Sequence, residues 1–470
     1  MSFLSQTLTK SNQISKFLIP VSSRTLSSFN KISLNKIQNL KYSTMSSKNV
    51  TIEATHADND TAKGTLEKLN DDSKYLLPLY GRPNIIFNHA EGAYIYDTAE
   101  RKYLDFASGI AVNSLGHNNP IIINAIKEQA TKIIHVSNLY HNENPAKLAK
   151  LIVESLEKKG KFADGAKVFF GNSGTEANEA AIKFARRYGK TISQNKNVIL
   201  SFNHAFHGRS LGALSATPNP KYQDPFTPLL PGFKYSPYND IEAAKKNIDE
   251  NVCGVIVECV QGEGGLTPAN KEFIQYIRKR CDEVNALLII DEIQTGLGRT
   301  GKLYAHQYYD ITPDIFTLAK PLGGGIPIGA TILSEKVAKT IKPGDHGTTF
   351  GGNSLATHVG AAVFSTINKP EFLAEIREKG DYLKKGLLEA TKGSKIVKEV
   401  RGLGLMIGVA LDEKVTPAAV ADVCRQQGLL VITCGMNTLR LLPPLIITKE
   451  EIDCAVNIIG KSIKYLEDKL

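Results

Sequence analysis

The sequence predicts an α/β protein whose larger part is built on a mainly parallel sheet. From about residue 106 to 365, short apolar runs alternate with longer segments of helical periodicity. Several of the runs end in an acid or a base, at the strand ends where sheets of this kind bind ligands. After about residue 366 the pattern changes to amphipathic helices mixed with short strands. A smaller α+β domain is therefore expected at the C-terminus.

The strand candidates of the large sheet are short runs of apolar residues. They are 167–170, 197–202, 252–260, 286–291 and 314–320. Between them, the segments 175–188 and 270–285 have the periodicity of amphipathic helices. Nearer the N-terminus, residues 92–106 alternate apolar and polar side chains around a turn, which predicts a β-hairpin.

The expected division of the chain has four parts. They are a leader at 1–48, an N-terminal segment at 49–105 that packs with the small domain, a large domain at 106–365 and a small domain at 366–470. The hydrophobic and charged fractions, 42% and 22%, are ordinary for a soluble globular enzyme, and no apolar stretch is long enough to span a bilayer. The six cysteines form no CxxC pair and no zinc spacing, so neither a metal site nor a disulfide framework is expected.

The positive charge of the chain is concentrated in its leader. Residues 1–52 contain no Asp or Glu and carry seven of the net +10 charges, which leaves +3 for the rest. Their serine-rich, basic composition without a continuous apolar core predicts a transit peptide and a mitochondrial matrix protein. A disordered basic tail is the alternative, and Met45 is a possible second start. The small remaining charge argues against a nucleic-acid-binding protein.

Asp291 and Lys320 each follow an apolar run, 287–290 and 315–319 respectively. Parallel strands would bring this carboxylate and this amine to the same edge of the sheet. Pyridoxal phosphate (PLP) needs both, because a lysine binds its aldehyde and an acid keeps its ring nitrogen protonated. Taken singly, a helix-capping Asp and a surface Lys are the more common situations, and the pairing depends on the motifs around them.

A phosphate site is predicted where a helix follows the run 167–170. Ser173 and Glu176 have the spacing of a capping box, and an apolar face at helical spacing follows. Gly174 and Thr175 would then lie at the helix N-terminus, where free N–H groups and the helix dipole favour a dianion. An ordinary capped helix is the alternative reading.

Other motifs place further polar and aromatic groups near the same edge. Phe206 can stack on a pyridine ring, and Arg209 can hold a carboxylate with two hydrogen bonds. Glu258 and Glu263 lie in a glycine-rich stretch and suggest counter-charges for a mobile arginine, while Gln294 can reach the cofactor's 3-hydroxyl. Two threonines in a glycine-bounded loop suit phosphate or carboxylate contact: Thr348 and Thr349.

Together, and in this order, the motifs resemble class III, or ω-amino, PLP-dependent aminotransferases of fold type I. The resemblance covers about residues 75–470 and rests on the segments NSGTEANEAA, FHGR, QGEGG, DEIQTGLGRTG and DHGTTFGGN. It implies a seven-stranded, mainly parallel sheet in the large domain, PLP as the cofactor, small-molecule substrates and a homodimer.

The resemblance also implies a role for each matching residue. Lys320 binds the cofactor and moves protons, Asp291 pairs with the pyridinium, and Gln294 faces the 3-hydroxyl. Phe206 stacks on the ring, while Gly174 and Thr175 bind the phosphate. Thr349 joins them from the neighbouring subunit. Arg209 and Thr348 contact the distal carboxylate of the substrate. Arg440 binds a second carboxylate, and Glu263 is its switchable partner.

Within the family, the implied reaction is ping-pong transfer of the δ-amine of N-acetylornithine to 2-oxoglutarate. Members that use free ornithine carry a tyrosine near the position of Ile110, and an apolar residue suits a blocked α-amine better. Aminotransfer from ornithine, GABA or succinylornithine is the nearest alternative. A catalytically inactive binding protein with the same fold is a second, and a basic nucleic-acid binder is a distant third.

Overall fold

A seven-stranded sheet stands at the centre of the chain, which a computed structural model describes over residues 54–58, 61–156, 162 and 164–470. The predicted leader, residues 1–48, lies outside the described residues. In spatial order the strands are Lys167–Gly171, Gly329–Leu333, Ile315–Leu318, Leu287–Asp291, Val252–Glu258, Val198–Phe202 and Phe233–Ser236. Gly329–Leu333 is antiparallel to both neighbours, and the other pairs are parallel. The predicted α/β fold with a mainly parallel seven-stranded sheet is therefore confirmed.

Two strands of this sheet were not anticipated from the sequence. Phe233–Ser236 is a short edge strand with two exposed residues, so it lacks a continuous apolar run. Gly329–Leu333 is fully buried but follows a segment rich in Gly and Pro, which is typical of a turn. The run 252–260 was also wrong as a single strand. Its strand ends at Glu258, and Val260–Gln261 pairs instead with Thr267–Pro268.

Helices pack on the sheet and join its strands. Gly174–Ile192 buries an alanine-rich face and contacts several strands. Its first turn differs from the predicted capping box. Ser173 Oγ accepts from the Glu176 N–H at 3.3 Å, but the Glu176 carboxylate accepts from the N–H of Asn172 at 2.7 Å.

The remaining described helices include the predicted one near 270–285. The α-helices are Thr65–Asp72, Ser108–Ala111, Pro120–Ala130, Glu143–Glu154, Leu211–Ser215, Pro220–Gln223, Ile241–Asn247, Lys271–Glu283, Glu335–Ala338, Ser354–Ile367, Pro370–Ala390, Pro417–Arg425 and Lys449–Glu467. Along this described chain, no helix is both long enough and apolar enough to cross a bilayer.

The predicted hairpin forms from Tyr94–Asp97 and Lys102–Asp105. Phe87–Glu91 pairs with its first strand, and Leu429–Leu430 pairs in parallel with its second, so the C-terminal part of the chain reaches this sheet. A further sheet has the strand order Val397–Leu403, Met406–Leu411, Thr438–Leu441 and Ile432–Cys434. The domain boundaries at 105 and 365 stay a prediction.

The central strands explain why the site forms at one edge of the sheet. Every residue of Val252–Glu258 and Leu287–Asp291 is buried, as expected for parallel strands that are covered on both faces. These two strands are paired in register with Asp291 opposite Glu258. Ile315–Leu318 pairs with Leu287–Asp291 on its other side, and Lys320 comes two residues after the end of this strand. The same carboxyl edge of the sheet therefore carries two acids and an amine.

Candidate active site

A cavity of about 370 Å³ opens at the carboxyl edge of the sheet. Most of the residues singled out in the sequence line it. They are Gly174, Thr175, Phe206, Arg209, Glu263, Asp291, Gln294 and Lys320. Glu258, His207 and Val112 also contribute to its wall. Residues that are far apart in the sequence are therefore brought into one enclosure by the strand ends and the loops that follow them.

Asp291 is buried and is held by three N–H groups. Its Oδ1 accepts from the backbone N–H of Ile293 at 3.0 Å. Its Oδ2 accepts from the Asn178 amide at 2.8 Å and lies 2.8 Å from Nδ1 of His207. Because a carboxylate accepts, Nδ1 of His207 carries the proton of this bond. The Nε2 of His207 is buried and has no hydrogen-bond partner among the described residues.

The sequence reasoning missed Asn178 and His207 as members of the site. Asn178 is a polar residue on the buried face of an alanine-rich helix, between Ala177 and Ala180, and this mismatch is the signal that could have revealed it.

Lys320 follows the strand Ile315–Leu318 and begins a tight turn with Pro321. Burial lowers the pKa of Lys320 to about 8, with the positive charge of Arg440 acting in the same direction and the charge of Glu263 opposing it. A lysine with such a pKa is partly neutral near physiological pH. It can therefore act as a nucleophile and as a general base.

Glu258 connects two parts of the cavity wall. Its Oε1 accepts from the backbone N–H of Phe206 at 3.0 Å, and its Oε2 accepts from that of Gly262 at 2.9 Å. Burial raises its pKa to about 7, while the nearby His207 acts to lower it. The carboxyl thus fixes both the candidate stacking residue and the loop that carries Glu263.

The helix that begins at Gly174 forms the opposite end of the cavity. A Cβ on Gly174 would meet Ile293 Cγ2 at 2.8 Å, so a glycine lets the helix start this close to the loop after Asp291. Thr175 Oγ1 lies 2.7 Å from Ser210 Oγ. The first N–H groups of a helix have no partner within it, and together with these hydroxyls they can bind a phosphate.

The two candidate arginines differ in burial and in partners. Arg209 is exposed, with its guanidinium 3.7 Å from the ring centroid of Tyr222. Arg440 is 2% exposed, and its Nη2 lies 2.8 Å from Glu263 Oε1. Arg440 Nη1 also donates to the carbonyl of Gly262 at 2.9 Å. The pairing of Arg440 with Glu263 brings a residue of the C-terminal sheet to the cavity edge.

Thr348 and Thr349 do not line the cavity within one described chain. Thr348 Oγ1 accepts from the Asn172 amide at 3.2 Å, and Thr349 is exposed. Ile110 does not line it either. It is 43% exposed, in a left-handed turn with φ of 64°, and the nearby apolar residue in the wall is Val112.

The residues of the cavity fit PLP. Asp291 Oδ1 receives one hydrogen bond and can accept another, from a protonated ring nitrogen. Lys320 supplies an amine of lowered pKa, and the helix start at Gly174 supplies N–H groups for a phosphate. A flat aromatic ring can lie against Phe206, which is fixed through its backbone by Glu258.

Comparison with known proteins supports the interpretation of this cavity as the site of an aminotransferase. The family model described as aminotransferase class-III matches residues 79–463. The protein of Yarrowia lipolytica named mitochondrial acetylornithine aminotransferase is 48% identical over 397 residues, covering 84% of this chain and 95% of that protein. An acetylornithine aminotransferase of Caldanaerobacter subterraneus is 48% identical over 389 residues, covering 83% and 97%.

Solved structures share the fold over most of this chain. The ornithine aminotransferase of Toxoplasma gondii ME49 has a TM-score of 0.82 at 31% identity, covering 88% of this chain and 98% of that one. The N-acetylornithine aminotransferase of Stenotrophomonas maltophilia has a TM-score of 0.72 at 34% identity, covering 85% and 100%. Another Toxoplasma structure, at TM-score 0.81 and 30% identity over 88% and 97%, was described with partial occupancy of PLP at the active site. PLP is the cofactor of this protein, and the chain belongs to the class III aminotransferase family.

Proposed function

We propose that this protein transfers the δ-amino group of N2-acetyl-L-ornithine to 2-oxoglutarate. The products are N-acetyl-L-glutamate 5-semialdehyde and L-glutamate, and the reaction is a step of arginine biosynthesis. The observation that carries the proposal is the Arg440–Glu263 pair at the edge of the cavity that contains Lys320. The names of the relatives at 48% identity support the choice of amine donor.

Each polar group of the cavity has a task in this proposal. PLP supplies an aldehyde that condenses with amines and a ring that accepts electrons. Asp291 keeps the proton on the ring nitrogen, because its buried carboxylate is stabilised as an anion by three N–H donors. Nζ of Lys320 would take up the proton from the amine-bearing carbon of the substrate and hold it for return. Phe206 would hold the ring at its face, and Gln294 would hold it at its 3-hydroxyl.

The Arg440–Glu263 pair accounts for the use of two unlike substrates. Glutamate reacts at its α-amine, so one carboxylate lies beside the reacting carbon and can bind Arg440 once Glu263 moves away. N-acetylornithine reacts at its δ-amine, and no carboxylate lies there. Glu263, with a side chain 28% exposed, then neutralises the buried arginine at 2.8 Å. Arg209, at the more exposed side of the cavity, binds the carboxylate far from the reacting carbon.

Aminotransfer from free ornithine is the second candidate, because the Toxoplasma ornithine aminotransferase has a higher TM-score than the N-acetylornithine aminotransferase of Stenotrophomonas maltophilia. The cavity wall favours the acetylated substrate. Val112 lines it with an apolar side chain, whereas a free α-ammonium group would need a polar partner when it is desolvated.

We further propose that the protein is a homodimer in which Thr349 of each subunit reaches the phosphate end of the other cavity. Around the loop that carries Thr349, large apolar side chains are exposed: Leu139 at 87%, Tyr140 at 70% and Phe350 at 60%. Asn138 donates to the carbonyls of Thr348 and Gly351, which joins these side chains into one surface. An apolar patch of this kind is typical of a subunit interface. Sedimentation analysis that finds a monomer would exclude this arrangement.

We also propose that the mature protein works in the mitochondrial matrix. The basic, acid-free composition of residues 1–52 and the mitochondrial names of fungal relatives support it. Fractionation with protease protection would test the location.

A panel of amine donors with 2-oxoglutarate tests the reaction itself. N-acetylornithine should give the highest kcat/KM, followed at a distance by ornithine, GABA and N-succinylornithine. Lys320→Ala, assayed alongside, should lose turnover with every donor. A higher kcat/KM for ornithine than for N-acetylornithine would overturn the proposed substrate and leave the aminotransferase assignment intact.

A further inference from the structure

Asn178 uses every polar atom of its side chain in a buried network. It is fully buried on the helix Gly174–Ile192. Its amide nitrogen donates to Asp291 Oδ2 at 2.8 Å and to the backbone carbonyl of His207 at 2.7 Å. Its Oδ1 accepts from Thr317 Oγ1 at 2.9 Å. Three bonds to three different segments leave the amide one orientation, because a flipped amide would point its oxygen at two acceptors, the His207 carbonyl and Asp291 Oδ2.

The network joins the elements that surround the cofactor site. Asn178 lies one helical turn after Gly174, so the amide and the phosphate end belong to the same rigid helix. Thr317 pairs with Asp291 in the register of two neighbouring parallel strands. The loop with His207 also carries Phe206 and Arg209. The amide therefore fixes the carboxylate relative to the phosphate end, the sheet and the stacking loop at once.

The three hydrogen bonds of Asp291 are unevenly divided between its two carboxylate oxygens. Oδ2 receives Asn178 and His207, which fills its two acceptor positions. Oδ1 receives the N–H of Ile293 and retains room for one further donor. If the carboxylate were rotated, an oxygen whose two acceptor positions are already filled would face the ring nitrogen.

We propose that Asn178 is a positioning residue, which turns Asp291 so that Oδ1 faces the ring nitrogen and stabilises its negative charge, with Thr317 holding the amide in place. Asn178 touches neither substrate in this arrangement, so it affects both half-reactions alike. The inference rests on the proposed role of Asp291 and adds to it the residues that set that role.

Asn178→Asp tests the proposal with almost no change of shape. It removes both N–H donors and places a second carboxyl beside Asp291. The dissociation constant of PLP, measured by titrating the cofactor-free protein, should rise about tenfold or more, since a hydrogen bond to a buried charged group is lost. The pH midpoint of the bound cofactor's visible absorbance should move upward. This midpoint reports the proton on the nitrogen that joins Lys320 to the cofactor, and a less protonated ring withdraws less electron density from that nitrogen. The kcat/KM values of both substrates should fall by similar factors.

Two threonine variants separate positioning from general stability. Thr317→Val removes the hydroxyl that anchors Asn178. It should shift the PLP dissociation constant and the absorbance midpoint in the same direction as Asn178→Asp does, but by a smaller amount. Thr331→Val is the matched control. Thr331 is equally buried, lies opposite Thr317 on the next strand and donates to the carbonyl of Ala177 on the same helix, but its hydroxyl is not bonded to the Asn178 side chain. It should leave the midpoint at its wild-type value.

The outcomes are distinct. A wild-type dissociation constant and midpoint in Asn178→Asp would overturn the inference, as would equal midpoint shifts in Thr317→Val and Thr331→Val. If Asn178→Asp does not fold, the two threonine variants decide by the same comparison. A wild-type protein that binds no PLP or transfers no amino group would instead refute the proposed function.

Discussion

Removing the charge of Glu263 should change the preference of the enzyme between its two substrates. In Glu263→Gln, the amide keeps an oxygen that can accept from Arg440 Nη2, which now lies 2.8 Å from the carboxylate. A charge-assisted bond is about twice as strong as a neutral one. From a net value of roughly 1.5–3 kcal/mol for a bond to a charged group, the substitution weakens the pair by about 1 kcal/mol. This corresponds to about a fivefold change in an equilibrium constant.

The sign of the effect differs between the half-reactions. The α-carboxylate of glutamate or 2-oxoglutarate must displace residue 263 from Arg440, so kcat/KM for 2-oxoglutarate should rise about fivefold. N-acetylornithine brings no carboxylate to this position, and Arg440, only 3% exposed at its side chain, is left less neutralised. The kcat/KM for N-acetylornithine should therefore fall by a similar factor.

Stopped-flow measurement of each half-reaction at saturating PLP gives the two values separately. Glu399→Gln is the matched control, because Glu399 pairs with Arg401 at 2.7 Å on a strand of the same C-terminal sheet and does not line the cavity. It should leave the ratio of the two kcat/KM values unchanged. Equal changes for both substrates in Glu263→Gln, or no change in either, would refute the switch.

Three further perturbations test other parts of the site. Lys320 must be neutral to capture PLP, and its pKa is lowered to about 8 by burial, so the rate of capture by the cofactor-free protein should rise with pH and level off above about 8. A capture rate that levels off only near the ordinary lysine pKa of about 10.4 would contradict the burial of Lys320. Borohydride reduction followed by peptide mapping should find the reduced cofactor attached to Lys320. Arg209→Lys keeps the charge but loses the two-pronged guanidinium, so KM for N-acetylornithine should rise about tenfold with a smaller change in kcat, and an unchanged KM would remove Arg209 from substrate binding. Gly208→Ala adds a Cβ at φ of 140° that would collide with Thr175 Oγ1 and approach Ala213. It should lower the free energy of unfolding by about 2 kcal/mol or more and weaken PLP binding, as a denaturant titration with and without cofactor would measure.

The elements that could be predicted are those that depend on local sequence pattern. Runs such as 287–290 are continuous in the chain, and their apolar character follows from burial on both faces of a parallel sheet. These runs alone therefore predict that Asp291 and Lys320 lie at one edge of the sheet. Strands without such a run were missed. Phe233–Ser236 is half exposed at a sheet edge, and the buried Gly329–Leu333 follows a segment with the composition of a turn.

The orientation of the polar groups follows from tertiary packing and not from local sequence. Asn178, His207 and Asp291 are separated by long stretches of sequence and have no shared local pattern, yet they meet within hydrogen-bond distance because a helix, a loop and a strand pack at one point. The same holds for Arg440 and Glu263, which approach through the C-terminal sheet. Residue types and their spacing indicate PLP chemistry. Hydrogen bonds, however, act over about 3 Å and depend on angle, so packing alone sets which oxygen of Asp291 keeps a free acceptor position and which arginine pairs with Glu263.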